Sequence, residues 1–279
     1  MNINCNGKLI DLSSPMVAGI LNITPDSFYD GGKYKDEPSI ISRVKEIINE
    51  GAGIIDIGAY SSRPGAEHIT EKEELERLIP VLEMIRNLYP DIVISVDTFR
   101  SKIAEFVIKE FNADMINDIS GGNFDAEMPE TIAESNVPYV LMHMKGTPQT
   151  MQNYPDYDDL LKEILSFFVE KVKISKDLGI NDLIIDPGFG FGKTIDHNYE
   201  LLNDLEKFQI FDCPIMVGIS RKSMIYKLLD QDPEDVLPAS TALHEAALER
   251  GANILRVHDV KEAVQTVSVF NKLRSFNKS

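Results

Sequence analysis

The sequence predicts an α/β protein, a (β/α)8 TIM barrel preceded by a short N-terminal hairpin. Eight short and nearly continuous apolar runs alternate with helical patterns along the 279 residues. Apolar strands of this kind are typical of a parallel sheet that is covered by helices. Eight strand–helix units in a chain of this length favour a closed barrel, and an open doubly wound sheet is the alternative.

The individual elements follow from the spacing of apolar residues and from the turn residues between them. The predicted strands are Met16–Ile23, Gly53–Ala59, Ile92–Thr98, Met115–Ser120, Pro138–Met144, Leu183–Phe189, Pro214–Ser220 and Ile254–Val260. Helical spacing predicts helices over 71–89 and 158–179, the second of which ends at Gly179, a residue type that commonly ends helices. Residues 1–14 are expected to form the hairpin beneath the barrel, and 1–279 is predicted to be a single domain.

The composition argues against several classes of partner. The chain has 28 Lys and Arg against 45 Asp and Glu, a formal charge of -17, so we expect no nucleic acid partner and no membrane partner. Cys5 and Cys213 lie far apart without metal-type spacing, and we expect both to be reduced. The N-terminal residues lack the pattern of a signal peptide, so a cytoplasmic location is expected.

Polar side chains stand at the carboxyl ends of the predicted strands, where barrel enzymes carry their chemistry. In chain order they are Asn22, Ser62, Arg63, Asp97, Asn117, His143, Asp186, Ser220, Arg221, Lys222, Arg256 and His258. The acceptors Asp97, Asn117 and Asp186 suit a ring edge that carries several N–H donors. Arg63, Arg256 and His258 suit phosphate oxygens, while Asn22 offers an oxygen of the kind that Mg2+ binds. The pattern therefore predicts a site for a nitrogen-rich ring and a magnesium-bound phosphate.

Each of these residues also has a purely structural explanation. Asp97 could cap the helix that begins near Ser101. His143 is more simply explained as a buried, hydrogen-bonded core residue than as a catalytic one. Arg221 and Lys222 could form the exposed start of a helix. Single residues leave the choice open, whereas polar groups at all eight strand ends favour a site.

The stretch Asp186–Thr194, DPGFGFGKT, resembles the end of a phosphate-binding loop. The Walker motif needs a glycine, four residues and then Gly-Lys-Ser/Thr, but Pro187 occupies the position of the first glycine. Proline offers no N–H to a phosphate. The stretch is therefore predicted to be a glycine-rich turn that passes close to a ligand and carries Phe189 and Phe191.

Eight motifs in chain order resemble the dihydropteroate synthase family: GILNITPDSFYDGG, SSRPGA, SVDTFR, INDISGG, LMHMKGTPQTMQ, DPGFGFGKT, GISRKSMI and RVHDV. The resemblance covers nearly the whole chain, and eight motifs in register are very specific. It implies an enzyme of folate biosynthesis that joins 6-hydroxymethyl-7,8-dihydropterin pyrophosphate to p-aminobenzoate and releases pyrophosphate. It also implies a homodimer, because members of this family are usually homodimers.

The same resemblance implies roles for individual residues. The pterin ring would be bound by Asp97, Asn117, Asp186 and Lys222, with Arg256 lying against it. The pyrophosphate would be bound by Asn22, Arg63, Arg256 and His258, with Mg2+ at Asn22. The p-aminobenzoate pocket, where sulfonamides compete, would be bordered by Ser62, Pro64, Phe191, Ser220 and Lys222. Met142 and Gly218 complete the expected substrate-binding set, and the catalytic candidates are Arg63, Asp97, Lys222, Arg256 and His258.

The expected chemistry is a substitution at the methylene carbon that carries the pyrophosphate. Arginine, histidine and magnesium would stabilise the departing phosphate oxygens. Ionised Asp97 and Asp186 would stabilise positive charge left on the ring. An aromatic amine is already neutral at pH 7, so the nucleophile needs no strong side-chain base, and a largely dissociative reaction is expected.

One motif departs from the family pattern. The second motif usually reads Gly-Glu-Ser-Thr-Arg-Pro-Gly, whereas here Tyr60 replaces the acid and Ser62 the threonine, with the hydroxyl kept.

A methyltetrahydrofolate-dependent methyltransferase shares the barrel and the pterin pocket but has no use for Arg63, Arg256 and His258 as a phosphate cluster. A non-catalytic pterin-binding barrel predicts that loop residues are missing, yet Asn22 and Arg63 are present.

Overall fold

The computed structural model of the chain describes residues 1–23, 37–61, 67–151 and 155–276. In these residues the strands are β1 (Asn2–Cys5), β2 (Lys8–Asp11), β3 (Met16–Asn22), β4 (Ile54–Gly58), β5 (Val93–Asp97), β6 (Met115–Asp118), β7 (Tyr139–Met142), β8 (Leu183–Asp186), β9 (Met216–Val217) and β10 (Ile254–Val257). The helices are α1 (Glu37–Asn49), α2 (Glu71–Leu88), α3 (Ser101–Phe111), α4 (Met128–Ser135), α5 (Leu160–Asp177), α6 (Ile195–Asn203), α7 (Ser223–Leu229), α8 (Leu237–Glu249) and α9 (Val260–Arg274), and a 3-10 helix spans Leu205–Phe211. The predicted site residues Ser62, Arg63 and Pro64 lie outside the described residues, as does most of the loop after β3.

Strands β3 to β10 form one parallel sheet in the order β8-β7-β6-β5-β4-β3-β10-β9. The first and last of these strands along the chain pair directly, with Ile254 of β10 opposite Met16 of β3. In the described residues, β8 and β9 are joined through the isolated bridge from Ile185 to Ile215. The sheet therefore curls into a nearly closed barrel, and the predicted barrel class is confirmed.

The strand predicted over Pro214–Ser220 is much shorter in the structure, where β9 is only Met216–Val217. Pro214 has no N–H to donate to a neighbouring strand. The N–H of Ile215 bonds to the Asn253 side-chain oxygen, 2.9 Å away, and not to another strand. One N–H of this segment is thus paired with a side chain, while the carbonyl oxygens of Pro214 and Ile215 still accept from Ile185 and Ile254 of the neighbouring strands.

The N-terminal hairpin is confirmed as a separate antiparallel pair, with Asn2 of β1 opposite Asp11 of β2. Its turn, Asn6–Gly7, has positive φ at both residues, 51° and 87°, as a tight two-residue hairpin turn requires. Ile3, Cys5 and Leu12 pack into the same apolar cluster as the amino-terminal halves of the barrel strands. The hairpin therefore covers the bottom of the barrel.

The interior of the barrel changes from apolar to polar along the strand direction. Residues two apart on a strand point to the same side. Ile54 of β4 and Ile254 of β10 belong to the apolar cluster at the bottom, and the next inward residues on these strands are Asp56 and Arg256. An apolar floor therefore supports a polar layer that leads to the carboxyl-terminal mouth of the barrel.

The two helices predicted in detail begin and end where their capping residues stand. Thr70 and Glu73 form a capping box at the start of α2, with the side chain of each bonded to the backbone N–H of the other. The Asp159 carboxylate accepts the Lys162 N–H at the start of α5. Gly179, with φ of 84°, follows the end of α5, as the sequence predicted.

Two further expectations concern the cysteines and membranes. Cys5 and Cys213 are both free and buried, in line with the prediction of reduced thiols. Burial raises the pKa of the Cys5 thiol to about 12, so it stays protonated at neutral pH. Among the described helices, none combines the length and apolar character that a membrane span needs.

Candidate active site

The polar mouth of the barrel is organised around the guanidinium of Arg256. Its Nε atom donates to Asp56 Oδ2 over 2.6 Å, and one of its terminal nitrogens donates to Asp97 Oδ2 over 2.9 Å. Arg256 comes from the last barrel strand and the two carboxylates come from β4 and β5. The structure therefore brings residues 159 and 200 positions apart into one ion-paired group.

Asp97 lies at this mouth and does not cap a helix. The N-cap residue of α3 is Arg100, whose side chain makes no capping hydrogen bond to the helix. The Ser101 N–H donates to the Asp125 carboxylate over 2.7 Å. Burial raises the pKa of Asp97 to about 7, although the positive charge of Arg256 opposes this. In the ligand-free protein burial thus favours the protonated form of Asp97, and the ion pair with Arg256 favours the ionised form.

Asp56 is a member of this group that the sequence analysis missed. Its carboxylate is fully buried and accepts hydrogen bonds from Ser95 Oγ at 2.6 Å and from Asn117 Nδ2 at 3.2 Å, besides that from Arg256. Asp56 is in the middle of β4, away from the strand ends where the site residues were expected. An aspartate inside the apolar run IIDIG is the signal that could have identified it, because a buried carboxylate needs partners.

Asp186 ends β8 and holds the start of the glycine-rich turn. Its Oδ1 accepts the Gly188 N–H over 2.7 Å. Burial raises the pKa of Asp186, and the neighbouring Lys222 ammonium is the main opposing charge. Gly188 has φ of 73°, and a Cβ there would lie 1.9 Å from the His143 carbonyl oxygen, so only glycine fits this turn. The turn thus runs hard against the end of β7, and its close approach to a ligand stays a prediction.

The lysine of the Walker-like stretch does not face a phosphate site. Lys193 is buried, and its ammonium lies 2.9 Å from Gly188 O, 3.2 Å from Phe191 O and 3.0 Å from His143 Nδ1. Three acceptors therefore match its three N–H donors. Burial lowers the pKa of Lys193 to about 7 and that of His143 to about 2. His143 is a buried, hydrogen-bonded core residue, which was the simpler of its two explanations.

Lys222 reaches over the other side of the glycine-rich turn. Its ammonium donates to the Phe189 carbonyl oxygen and lies 4.5 Å from the centre of the Phe191 ring. Gly190 allows this approach, since a Cβ there would lie 3.2 Å from Lys222 Cδ. Burial lowers the pKa of Lys222 to about 8, against the opposing carboxylate of Asp186. Lys222 is therefore an inward-facing cation and not an exposed helix start.

His258 and Ser220 lie together beside Arg256. The backbone N–H of His258 donates to Ser220 Oγ over 3.2 Å, and the His258 carbonyl oxygen accepts from Arg43. Burial lowers the pKa of His258 to about 4, and the Arg256 charge acts in the same direction. In the ligand-free protein His258 is thus a neutral imidazole at pH 7. The Arg221 guanidinium forms an ion pair with Asp259, the residue after His258.

An apolar cluster lies beside the polar group. It consists of Phe99, Ile119, Met142, Met144 and Met151, with the rings of Tyr60 and Phe191 packed against it. Because Phe191 also lies under the Lys222 ammonium, this apolar cluster and the polar group share one wall. The predicted residue Gly218 stands close by, and a Cβ there would lie 3.9 Å from both Arg256 Cβ and Lys222 Nζ.

Asn22 ends β3 on the same side of the barrel. Its Oδ1 atom and Asp97 Oδ2 each lie 3.6 Å from the point where a Cβ on Gly58 would stand. An amide oxygen beside a carboxylate is a hard-oxygen environment, which fits Mg2+ with its remaining ligands supplied by phosphate and water. In the part of the chain that the structure describes, no three His, Cys, Asp or Glu side chains form a metal-binding cluster.

The remaining histidines have structural positions. His197 closes a capping box with Thr194 at the start of α6. His244 is buried in α8, and neither of its ring nitrogens has a hydrogen-bond partner. Burial lowers the pKa of His244 to about 4, so it is neutral at pH 7.

The chain is similar to known proteins of one family. Residues 18–258 match a family described as pterin binding enzyme. The dihydropteroate synthase of Escherichia coli strain K12 is 44% identical over 271 residues, which cover 96% of this chain and 95% of that protein. The chain belongs to the dihydropteroate synthase family. Dihydropteroate synthases are transferases, so the prediction of an enzyme is confirmed.

Solved structures of dihydropteroate synthases share the fold. That of Yersinia pestis, in complex with a sulfonamide drug, has a TM-score of 0.91 at 41% identity and covers 99% of this chain and 100% of that chain. That of Xanthomonas albilineans, with 4-aminobenzoic acid, has a TM-score of 0.89 at 37% identity and covers 98% of each chain. The described part of the barrel thus has the fold of the dihydropteroate synthases along nearly its whole length.

Proposed function

We propose that this chain joins 6-hydroxymethyl-7,8-dihydropterin pyrophosphate to p-aminobenzoate, giving 7,8-dihydropteroate and pyrophosphate in folate biosynthesis. The observation that carries the proposal is the convergence of Asp97, Asp186, Lys222 and Arg256 at one mouth of the barrel. Charges of both signs, beside an apolar wall, suit a substrate with a nitrogen-rich ring and an anionic leaving group.

The acceptors of the polar group would bind the pterin ring. Asp97, Asn117 and Asp186 come from strands β5, β6 and β8 and lie inside the barrel, where paired N–H groups of the ring can meet carboxylate oxygens. A ligand donor facing Asp97 stabilises the ionised carboxylate, so pterin binding would lower its raised pKa. Arg256 already crosses the space between Asp56 and Asp97 and would lie against the bound ring.

The pyrophosphate would be bound on the side of Arg256 and His258. Arg256 keeps unused N–H donors after its two ion pairs, because a guanidinium has five. His258, neutral in the free protein, can donate one ring N–H, and an adjacent anion would raise its pKa. Arg63 belongs to this proposal on the grounds of the sequence. Mg2+ bound to Asn22 and to phosphate oxygens would neutralise charge on the leaving group.

The reaction is a substitution in which the C–N bond forms and the C–O bond to pyrophosphate breaks. Positive charge develops on the ring system, and Asp97 and Asp186 stabilise it in a site that is largely shielded from water. The amine nitrogen of p-aminobenzoate attacks as a neutral group and then releases one proton. The protein therefore contributes chiefly positioning and electrostatic stabilisation.

The p-aminobenzoate ring would lie between Phe191 and the apolar cluster. The Lys222 ammonium over Phe191 and the Ser220 hydroxyl provide polar contacts at this wall. Ser62 and Pro64 are proposed to border the same pocket from the loop after β4. Sulfonamides resemble p-aminobenzoate in shape and would compete for this place.

The proposal also covers the oligomeric state, the cellular location and the number of domains. We propose a homodimer in the cytoplasm, with 1–279 as one domain, and the family resemblance supports each of these. The buried, unpaired state of both cysteines fits a reducing compartment. Size-exclusion chromatography with light scattering tests the dimer, and a mass equal to one chain at micromolar concentration would refute it.

The reaction itself is tested by incubating the purified chain with the pterin pyrophosphate, p-aminobenzoate and Mg2+. Joined product and pyrophosphate are expected in equal amounts, and omission of any one component should remove both. Pterin binding without product would favour a non-catalytic barrel. Methyl transfer from methyltetrahydrofolate to a corrinoid protein, without pyrophosphate release, would favour the methyltransferase.

A further inference from the structure

Tyr60 occupies the position at which the related motif carries an acid, and its ring belongs to the apolar cluster. It comes two residues after the end of β4. Its ring meets Phe99 edge-on, with centres 5.0 Å apart and planes at 87°, and packs against the same apolar cluster as Phe191. A glutamate could not make these apolar contacts, so the tyrosine changes the nature of this wall.

The Tyr60 hydroxyl links two segments that are distant in sequence. It accepts a hydrogen bond from Gln149 Nε2 at 2.9 Å and lies 3.1 Å from His68 Nδ1. Gln149 belongs to the connection between β7 and α5, and His68 to the one between β4 and α2. The phenol therefore ties the loop after β7 to the loop after β4 across the top of the apolar cluster.

The His68 side of this link is anchored in the protein interior. His68 Nε2 lies 3.4 Å from the Arg100 guanidinium, which also donates to the Ile69 carbonyl oxygen and pairs with the buried Glu74. Arg100 can only donate, so the tautomer that satisfies all contacts has His68 Nε2 as acceptor and Nδ1–H as donor to Tyr60. The Tyr60 oxygen then receives two N–H donors, one from each loop.

We propose that Tyr60 is a positioning residue for p-aminobenzoate, which holds the Gln149 segment against the apolar cluster beside Phe191. The inference rests on the proposed function, because it assigns the aryl substrate to that cluster. Tyr60 makes no hydrogen bond to Asp97, Asn117 or Asp186. Loss of its hydroxyl should therefore weaken the aryl site and leave pterin binding unchanged.

The test uses Tyr60→Phe, which removes the hydroxyl and keeps the ring, together with Gln149→Met and the double variant. Steady-state kinetics of the wild type and the variants give KM for each substrate and kcat. We expect KM for p-aminobenzoate to rise about threefold to tenfold in Gln149→Met, as for the loss of one neutral hydrogen bond, and at least as much in Tyr60→Phe, which also loses the contact to His68. KM for the pterin pyrophosphate and kcat should stay within about twofold.

The double variant separates a shared hydrogen bond from two independent effects. It should show the same KM as Tyr60→Phe alone, because that change already removes the hydrogen bond to Gln149. Tyr199→Phe is the matched control, since its hydroxyl donates to the Met224 carbonyl oxygen at 3.3 Å, away from the cluster. Its KM values should equal those of the wild type.

Three outcomes would overturn the proposal. An unchanged KM for p-aminobenzoate in Tyr60→Phe removes the positioning role. Equal rises in both KM values would mean a general structural role, and multiplied effects in the double variant would disprove the link to Gln149. An inactive wild type refutes the proposed function and with it this role, whereas an active wild type with unaltered variants refutes the role of Tyr60 alone.

Discussion

Replacing Asp56 tests the ion-paired group at the mouth of the barrel. In Asp56→Ala, Arg256 Nε, Ser95 Oγ and Asn117 Nδ2 all lose the carboxylate that they share. Asp97 still pairs with Arg256, and the cost of burying one carboxylate disappears. Asp56→Asn is milder, because the amide oxygen can still accept from Arg256 and Asn117 while the amide nitrogen donates to the serine hydroxyl.

The size of each effect follows from what remains paired. Removal of one partner from a buried ion pair costs about 3–5 kcal/mol, because the other charge stays buried without compensation. We expect Asp56→Ala to lower the free energy of unfolding by about 3–4 kcal/mol, the lower part of that range, since Asp97 compensates in part. Asp56→Asn exchanges charge-assisted hydrogen bonds for neutral ones, a loss of about 1–2 kcal/mol.

Urea unfolding at pH 7.5, followed by far-UV circular dichroism, measures these differences. Asp91→Ala is the control, because that carboxylate is 98% exposed and its nearest cation is 4.0 Å away, so its effect should be below about 0.5 kcal/mol. If Asp56→Ala costs no more than Asp91→Ala, the Arg256 group does not stabilise the fold. If Asn and Ala cost the same, hydrogen bonding by the amide is absent.

Three further variants test the proposed roles of site residues. Asp97→Asn should weaken binding of the pterin substrate about tenfold or more, as measured by calorimetry. The affinity of the wild type should fall as the pH is lowered below about 7, because Asp97 then gains a proton, and the variant should lose this pH dependence. Equal affinity of the two proteins at pH 8 would remove Asp97 from the ring-binding set. Lys222→Ala should reduce turnover about a hundredfold, and wild-type rates would contradict its place between the two substrates. His258→Ala should weaken the pterin pyrophosphate about tenfold and spare the free hydroxymethyl pterin, so an equal loss for both ligands would argue against a phosphate role.

The sequence predicted the fold and the meeting of the strand ends because both follow from periodicity. Alternating apolar strands and helices define the barrel, and the barrel places every strand's carboxyl end at one mouth. Asp97, Asn117, Asp186 and Arg256 could therefore be assigned to one site without coordinates. Periodicity does not show which side chains form ion pairs, and the two ion pairs of Arg256 are seen only in the structure.

The features that the sequence analysis missed depend on contacts between distant segments. Asp56 is a site residue that is buried in the middle of β4, and its position in the strand is that of a core residue. The three acceptors of Lys193 include two carbonyl groups, which no residue type reveals. β9 was predicted too long, and the N–H of Ile215, just before β9, bonds to the Asn253 side chain, a contact between distant segments that the apolar run does not show.

The direct pairing of β3 with β10 has a consequence for how the protein is made. β3 is synthesised early, and one of its two edges has no partner until β10 has been synthesised. Arg256 arrives with that final strand, so a truncated product carries Asp56 and Asp97 without their cation. A chain that stops before β10 therefore lacks both the strand that pairs with β3 and the cation that pairs with Asp56 and Asp97.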